Sequence, residues 1–189
     1  MLLNEHGLDY LVSVADQLFR NRVLEEKSMA VMLLEKSAHD FGPRQFRLFD
    51  DWLDRVSSWA DHDALVYYLI GPMVVDDPAH VRVVFRWARS RNRWRRRAAC
   101  VSLIRGARQQ MFRGEIARLS EMLLPDSDDM VQKGLGWLLR EYAKADAASA
   151  IKLLMKLRTR APRLVLRTAC ETLEPKTRAK VLAKETGSR

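Results

Sequence analysis

One acidic residue interrupts a repeated basic position in this sequence. A basic residue followed by a small one recurs along the chain, at Lys27, Arg97, Lys133 and Arg167. The same spacing places Asp63 at one further copy, and successive copies are 36, 34, 36 and 34 residues apart. A period near 35 residues with helical patterning is typical of α-solenoids, in which equivalent positions line up along one face. We therefore expect Asp63 to be the only acid in a column of cations.

Two chemical roles are open for Asp63. The first is a salt bridge with Arg97 or another neighbour, which would hold adjacent repeats in register. The second is catalysis, because an ionised carboxylate can stabilise the positive charge that develops on a sugar when a C–N bond breaks. His62 precedes this acid, and we interpret it as incidental because consecutive residues point to different faces of a helix.

The charge of the chain favours a polyanionic partner. Lys and Arg number 33 against 24 Asp and Glu, which gives a net charge of +9 and a pI of about 9.9. Nucleic acid is therefore a better candidate than a membrane or an acidic protein. The most basic segment, residues 86–97, contains seven arginines interleaved with two tryptophans. A solvated position is the simpler interpretation for any one arginine, but the block as a whole favours phosphate contacts.

The tryptophans near the column have both a structural and a functional interpretation. Trp59 lies four residues before Asp63, and Trp137 lies four residues after Lys133. Each pair shares a face if one helix includes both positions. An ordinary place in the core is the alternative for each. Trp94 is interpreted as packing between repeats, with stacking on a nucleobase as its alternative.

The elements that must position these residues are helices. Glycine is scarce and the prolines fall mainly between periodic segments, which predicts an all-α chain. We expect one domain, residues 1–189, forming an α-solenoid of about five helix pairs with a basic concave face. The basic/small motif falls near the start of the second helix of each pair. Its small residues should let neighbouring backbones approach, while its long cations should reach out of the surface.

One helix boundary is predicted close to the acidic exception. A helix is expected to begin near Asp61, to continue to about Ile70, and to end at Gly71-Pro72.

Other kinds of chemistry are poorly supported. The four histidines have no metal-ligand spacing, and Cys100 and Cys170 occupy the small-residue slot of two repeats. We expect no metal and no cofactor. Neither a signal peptide nor an apolar run of residues long enough to span a bilayer is visible, so we expect a cytoplasmic protein. We also expect a monomer, although pairing through an exposed end of the solenoid is open.

Three local matches give the chain a resemblance to a known family. The longest is the segment 132–144, QKGLGWLLREYAK; the others are the segment 94–99, WRRRAA, and the pair Trp59 and Asp63. Together they resemble the DNA alkylation repair family, the AlkD-like DNA glycosylases built from HEAT-like helical repeats. The resemblance covers most of the chain, from about the second helix onward.

The resemblance implies removal of cationic N3- and N7-alkylated purines from double-stranded DNA, leaving an abasic site, without a metal, a cofactor or base flipping. Asp63 matches the carboxylate that stabilises the sugar cation and positions water. Trp59 and Trp137 match aromatic contacts to the backbone and deoxyribose, and Arg97 matches a phosphate-binding arginine. Further DNA contacts are expected from six residues, Arg93, Trp94, Lys133, Arg140, Lys27 and Arg167.

Two departures from the family pattern keep other functions open. The family's Trp-Asp-x-x-Asp occurs here as Trp-Ala-Asp-His-Asp in residues 59–63. The chain is also expected to begin about one repeat late, which should weaken its grip on DNA at one end. The alternative is a non-catalytic HEAT-like protein that recognises DNA shape or branched DNA, and this protein would not need Asp63. A protein-interaction scaffold is the third possibility, although a basic column is unusual for one.

Overall fold

A computed structural model describes residues 2–183, and all of its regular elements within that range are helical. The expectation of an all-α chain is therefore confirmed for the described residues. The ends of the predicted domain, Met1 and residues 184–189, lie outside them. Between residues 2 and 183, no helix is both long and apolar enough to cross a membrane. The chain divides into two compact units, the first ending at His80 and the second beginning at Val81.

The first unit is organised around an aromatic core. Its α-helices are α1 (Leu2–Arg20), α2 (Leu24–Leu34), α3 (Pro43–Trp52), α4 (Trp59–Ala64) and α5 (Gly71–Asp76). The apolar side chains of α3 recur at helical spacing, so that Phe46, Phe49 and Trp52 are all buried. Trp52 stacks on Phe19 of α1 with ring centroids 4.2 Å apart. This stack fixes α3 against α1.

The helix that carries the acidic exception does not end at Gly71-Pro72, so that prediction was wrong. A π-helical segment, Leu65–Ile70, connects α4 directly to α5, and both Gly71 and Pro72 are buried. Proline lacks a backbone N–H, and its ring conflicts with the carbonyl four residues earlier in a regular α-helix. The wider π turn relieves that conflict, because its hydrogen bonds span one more residue. The helix therefore continues through the proline.

The second unit is built around α10. Its α-helices are α6 (Val81–Trp87), α7 (Arg93–Val101), α8 (Ile104–Arg108), α9 (Arg113–Leu123), α10 (Asp129–Ala145), α11 (Ala147–Leu157), α12 (Arg163–Ala169) and α13 (Pro175–Leu182). Both α7 and α12 pack against α10. These three helices carry the basic/small motifs of the second unit.

Two glycines of α10 allow this packing. A Cβ atom on Gly134 would lie 3.1 Å from Cγ of Arg97 in α7, and one on Gly136 would lie 2.7 Å from Cβ of Thr168 in α12. Residues two apart point to nearly opposite sides of a helix, at about 100° per residue. Hence α7 and α12 approach α10 from opposite sides, each against a glycine. The prediction that small residues of the motif permit close backbone approach is confirmed at these two positions.

Substituting Gly136 by alanine should destabilise the second unit. The new methyl group would overlap Thr168 and would also lie 3.2 Å from the carbonyl oxygen of Val165. We expect Gly136→Ala to lower the free energy of unfolding by about 1–2 kcal/mol, because overpacking outweighs the better helix propensity of alanine. Chemical denaturation measures this change.

The matched control is Gly114→Ala in the first turn of α9, where an added Cβ meets nothing within 4 Å. This control should leave stability unchanged or raise it. Equal effects of the two substitutions would contradict the packing of α12 on Gly136.

Candidate functional site

The predicted catalytic segment begins α4. Ser58 is the N-cap, and its Oγ accepts a hydrogen bond from the backbone N–H of Asp61. Trp59 is the first helical residue, so α4 includes both Trp59 and Asp63, which lie one turn apart. The side chain of Asp63 is 17% exposed and Trp59 is 59% exposed. A partly accessible carboxylate and an exposed indole therefore share one face of this helix.

A second acid in the same segment is fully buried and satisfied by several donors. Oδ2 of Asp61 accepts from Lys27 Nζ at 3.0 Å, and from the backbone N and Oγ of Ser57, each at 2.9 Å. Oδ1 accepts from the backbone N and Oγ of Ser58, each at 2.7 Å, and from the backbone N of His62 at 3.1 Å. These bonds fix the start of α4 to the preceding loop and to α2.

Burial and hydrogen bonding act in opposite directions on the acidity of Asp61. Burial raises its pKa, but the hydrogen bonds from Ser57, Ser58 and Lys27 favour the carboxylate and lower the pKa to about 2. Asp61 is therefore ionised at neutral pH, and it forms a buried ion pair with Lys27.

Lys27 occupies the interior of the first unit. It is 2% exposed, and its Nζ also donates to the carbonyl oxygen of Arg55 at 2.5 Å and to Oγ of Ser57 at 3.2 Å. The expectation that this cation reaches out of the surface is wrong, because the buried carboxylate of Asp61 draws it inward. Lys27 is accordingly not among the DNA contacts proposed below.

His62 makes a contact that its sequence position did not suggest. The imidazole is fully buried, and its Nδ1 lies 2.7 Å from Oδ1 of Asp63. The interpretation of His62 as incidental was wrong, because Nδ1 is close enough to the backbone to reach the next side chain. The only signal in the sequence was the adjacency of a histidine and the acidic exception.

Arg97, like Lys27, lies mostly inside the protein. It is 6% exposed, and its Nη1 donates to the carbonyl oxygen of Met130 at 2.5 Å while its aliphatic stem lies against Gly134. The expected outward projection is wrong here also. The side chain crosses from α7 to α10 and connects the two helices.

Several of the other predicted DNA contacts are paired with carboxylates. Arg93 has Nε 3.2 Å from Oδ2 of Asp128 and Nη2 3.5 Å from Oδ1 of Asp129, and its guanidinium lies 5.1 Å from the ring centroid of Trp94. Lys133 Nζ lies 3.0 Å from Oδ2 of Asp129. These acids lie where α10 begins, so the pairs of Arg93 join α7 to the first turn of α10, whereas the Lys133 pair lies within α10.

The remaining predicted contacts belong to α10 and α12. Arg140 pairs with Glu171 and also lies 3.4 Å from Oε1 of the buried Glu141. Trp137 is partly buried on α10, one turn after Lys133, and Arg167 is exposed on α12. In the described part of the chain, no group of three or more His, Cys, Asp or Glu side chains is placed to hold a metal ion.

Removing the buried cation should test the Lys27–Asp61 pair. Lys27→Met keeps most of the aliphatic volume and leaves the Asp61 carboxylate without its counter-ion. We expect the free energy of unfolding to fall by about 3 kcal/mol, the usual cost of stranding a buried charge. Lys133→Met is the matched control, because its pair with Asp129 is exposed and solvent screens it. A Lys27→Met variant as stable as this control would contradict the buried pair.

Acid titration should reveal the stabilisation that the Asp61 carboxylate contributes. The pKa of Asp61 is depressed in the folded state, so its stabilisation is present above about pH 4, the unfolded value, and is lost as pH falls toward about 2. The loss should be about 2 kcal/mol. Comparison of wild type with Asp61→Asn by denaturation between these pH values isolates this carboxylate, because other acids titrate in both proteins. Identical slopes would contradict the assignment.

Comparisons with known proteins agree on one family. The family model of the DNA alkylation repair enzyme matches residues 2–173. A solved structure, of a predicted DNA alkylation repair enzyme from Enterococcus faecalis, has a TM-score of 0.80 and 19% sequence identity to this chain. That similarity covers 92% of this chain and 82% of the other, and at this identity it concerns the fold alone. No curated protein matches the sequence.

Proposed function

Because the chain belongs to the DNA alkylation repair enzyme family, we propose that it is a monofunctional DNA glycosylase. Its substrates are cationic N3- and N7-alkylated purines in double-stranded DNA. It hydrolyses the N-glycosidic bond, leaves an abasic site, and acts without base flipping, metal or cofactor. The HEAT-like repeat architecture with a basic DNA-binding face belongs to the same proposal.

The observation that carries this proposal is the placement of Asp63 and Trp59 one turn apart on α4. The carboxylate is partly accessible, lies on the same face of α4 as the exposed indole, and is held by His62. An indole next to a carboxylate offers an apolar surface for a deoxyribose and a negative charge for an electron-poor sugar.

The reaction requires little from the protein beyond a negative charge near the sugar. The C1′–N bond breaks with its electron pair moving to the cationic purine, which leaves as a neutral base. Positive charge then develops on C1′ and the ring oxygen, and Asp63 stabilises it by electrostatic attraction. Water adds to C1′ and loses a proton to solvent, giving the abasic deoxyribose. No general acid is needed, because the alkylated base already carries the positive charge of a good leaving group.

The proposed DNA contacts come from exposed and half-exposed cations of the second unit, Arg93, Lys133, Arg140 and Arg167. Three of them are paired with carboxylates. Exposed ion pairs contribute little net stability, so phosphate groups can displace Asp129 and Glu171 at small cost. Trp94 and Trp137 stay in the proposal through the family resemblance, whereas Arg97, like Lys27, is buried and is left out of the DNA contacts.

Replacement of the carboxylate tests the proposal. Wild-type protein should release free base from duplex DNA that carries a single N7-methylguanine. In Asp63→Asn the rate constant should fall by about 100-fold or more, because the amide has the same shape but no charge. Single-turnover release of the methylated base, with DNA affinity measured in parallel, provides the readout.

Asp76→Asn is the matched control, since Asp76 also lies 2.7 Å from a histidine Nδ1, that of His39, but on α5. It should release base at the wild-type rate. A folded wild type that binds DNA and releases no base would refute the glycosylase proposal and favour the non-catalytic DNA-binding alternative. Full activity in Asp63→Asn would refute the role of Asp63.

A further inference from the structure

Of the histidines at positions 39, 62 and 80, only His62 is fully buried, and its ring contacts the candidate catalytic acid. The backbone N–H of His62 bonds to the carbonyl oxygen of Ser58 at 3.2 Å and to Oδ1 of Asp61 at 3.1 Å. The main chain of this residue is therefore anchored in the first turn of α4. Its imidazole is enclosed by protein, so the ring has little freedom to change rotamer.

Asp63 needs such a partner if its carboxylate is to keep one orientation. The terminal torsion of an aspartate is broad and nearly two-fold, so the backbone alone does not set the plane of its carboxylate. A hydrogen bond to one oxygen sets that plane. The 2.7 Å bond from Nδ1 of His62 to Oδ1 of Asp63 does this from the interior side. An ionised carboxylate can only accept, so Nδ1 carries the hydrogen in this bond.

The geometry points to His62 as a positioning residue for Asp63, holding its carboxylate in the orientation that stabilises the sugar cation. This inference rests on the glycosylase proposal and adds a second residue to its chemistry. The arrangement reverses that of a hydrolase triad, where a buried carboxylate orients an imidazole. Here a buried imidazole orients the carboxylate, and His62 does not touch the substrate.

Two substitutions of nearly equal shape separate positioning from packing. His62→Leu fills part of the site without a donor, whereas His62→Asn places an amide N–H₂ close to the position of Nδ1. The two replacements have the same branched heavy-atom skeleton, so a purely structural role predicts that His62→Asn is no more active than His62→Leu. A positioning role predicts that His62→Asn recovers most of the rate that His62→Leu loses.

The measurement is single-turnover base release with the full chain in excess over duplex DNA containing one N7-methylguanine. His62→Leu should lower the rate constant by roughly 10-fold to 100-fold, the effect expected for loss of a hydrogen bond to a charged group. The dissociation constant for the same DNA should stay unchanged, because the acid still occupies the same helix position. A His62→Leu rate equal to that of wild type, or a His62→Asn rate no better than that of His62→Leu, would overturn the inference.

A spectroscopic measurement tests the bond without relying on activity. In ¹⁵N-labelled wild type, the Nδ1 of His62 should carry a proton that is protected from exchange with solvent. Asp63→Leu removes the acceptor, and this proton signal should shift or disappear. An unprotonated Nδ1 in wild type at neutral pH would overturn the inference.

Failure of the inference and failure of the proposed function give different results. Base release by wild type, its loss in Asp63→Asn and full retention in His62→Leu would leave the glycosylase standing and remove His62 from it. No base release by wild type would overturn the glycosylase proposal and the catalytic use of this bond together, even where the Nδ1 proton is observed.

Discussion

The buried carboxylate of Asp61 joins three segments that would otherwise be independent. It binds Lys27 of α2, the backbone and hydroxyl groups of Ser57 and Ser58 in the loop, and the first turn of α4. A charge buried without partners would destabilise the fold by several kcal/mol, so its donors must all be in place when the unit folds. The start of α4 is fixed in this way. The positions of Trp59 and Asp63 follow from it.

The same loop is also tied to α1. Oδ1 of Asp16 accepts hydrogen bonds from Nε1 of Trp52 at 2.8 Å and from Nη1 of Arg55 at 2.7 Å. Arg55 in turn offers its carbonyl oxygen to Lys27. Two buried or half-buried carboxylates therefore hold the segment before α4 from both ends. A partly exposed acid on a rigid helix is well suited to electrostatic catalysis, because its charge need not be reorganised during the reaction.

Several cations of the second unit form ion pairs with nearby carboxylates. Asp128 caps α10 by accepting from the backbone N–H groups of Met130 and Val131, and it also contacts Arg93 of α7. An arginine-rich run would repel itself, and these acids relieve that repulsion while holding two helices together. The cations are thus partly oriented by the protein's own carboxylates. A net charge of +9 still favours a polyanion, although it overstates how many cations are available for contact.

Sequence by itself determined the helical class, the 35-residue spacing, and the places where small residues are required. It did so because hydrophobic period and side-chain size are local properties, as Phe46, Phe49, Gly134 and Gly136 illustrate. A repeat shows which positions are equivalent, but it does not show how deep each one lies. Only the tertiary structure decided that Lys27 and Arg97 turn inward, that His62 holds Asp63, and that the helix continues through Gly71-Pro72. The inward turns of Lys27 and Arg97 depend on atoms contributed by other segments, and the continued helix depends on a change of helical hydrogen bonding. The contact between His62 and Asp63 joins adjacent residues, but it depends on how the packed interior orients the imidazole, which residue order does not encode.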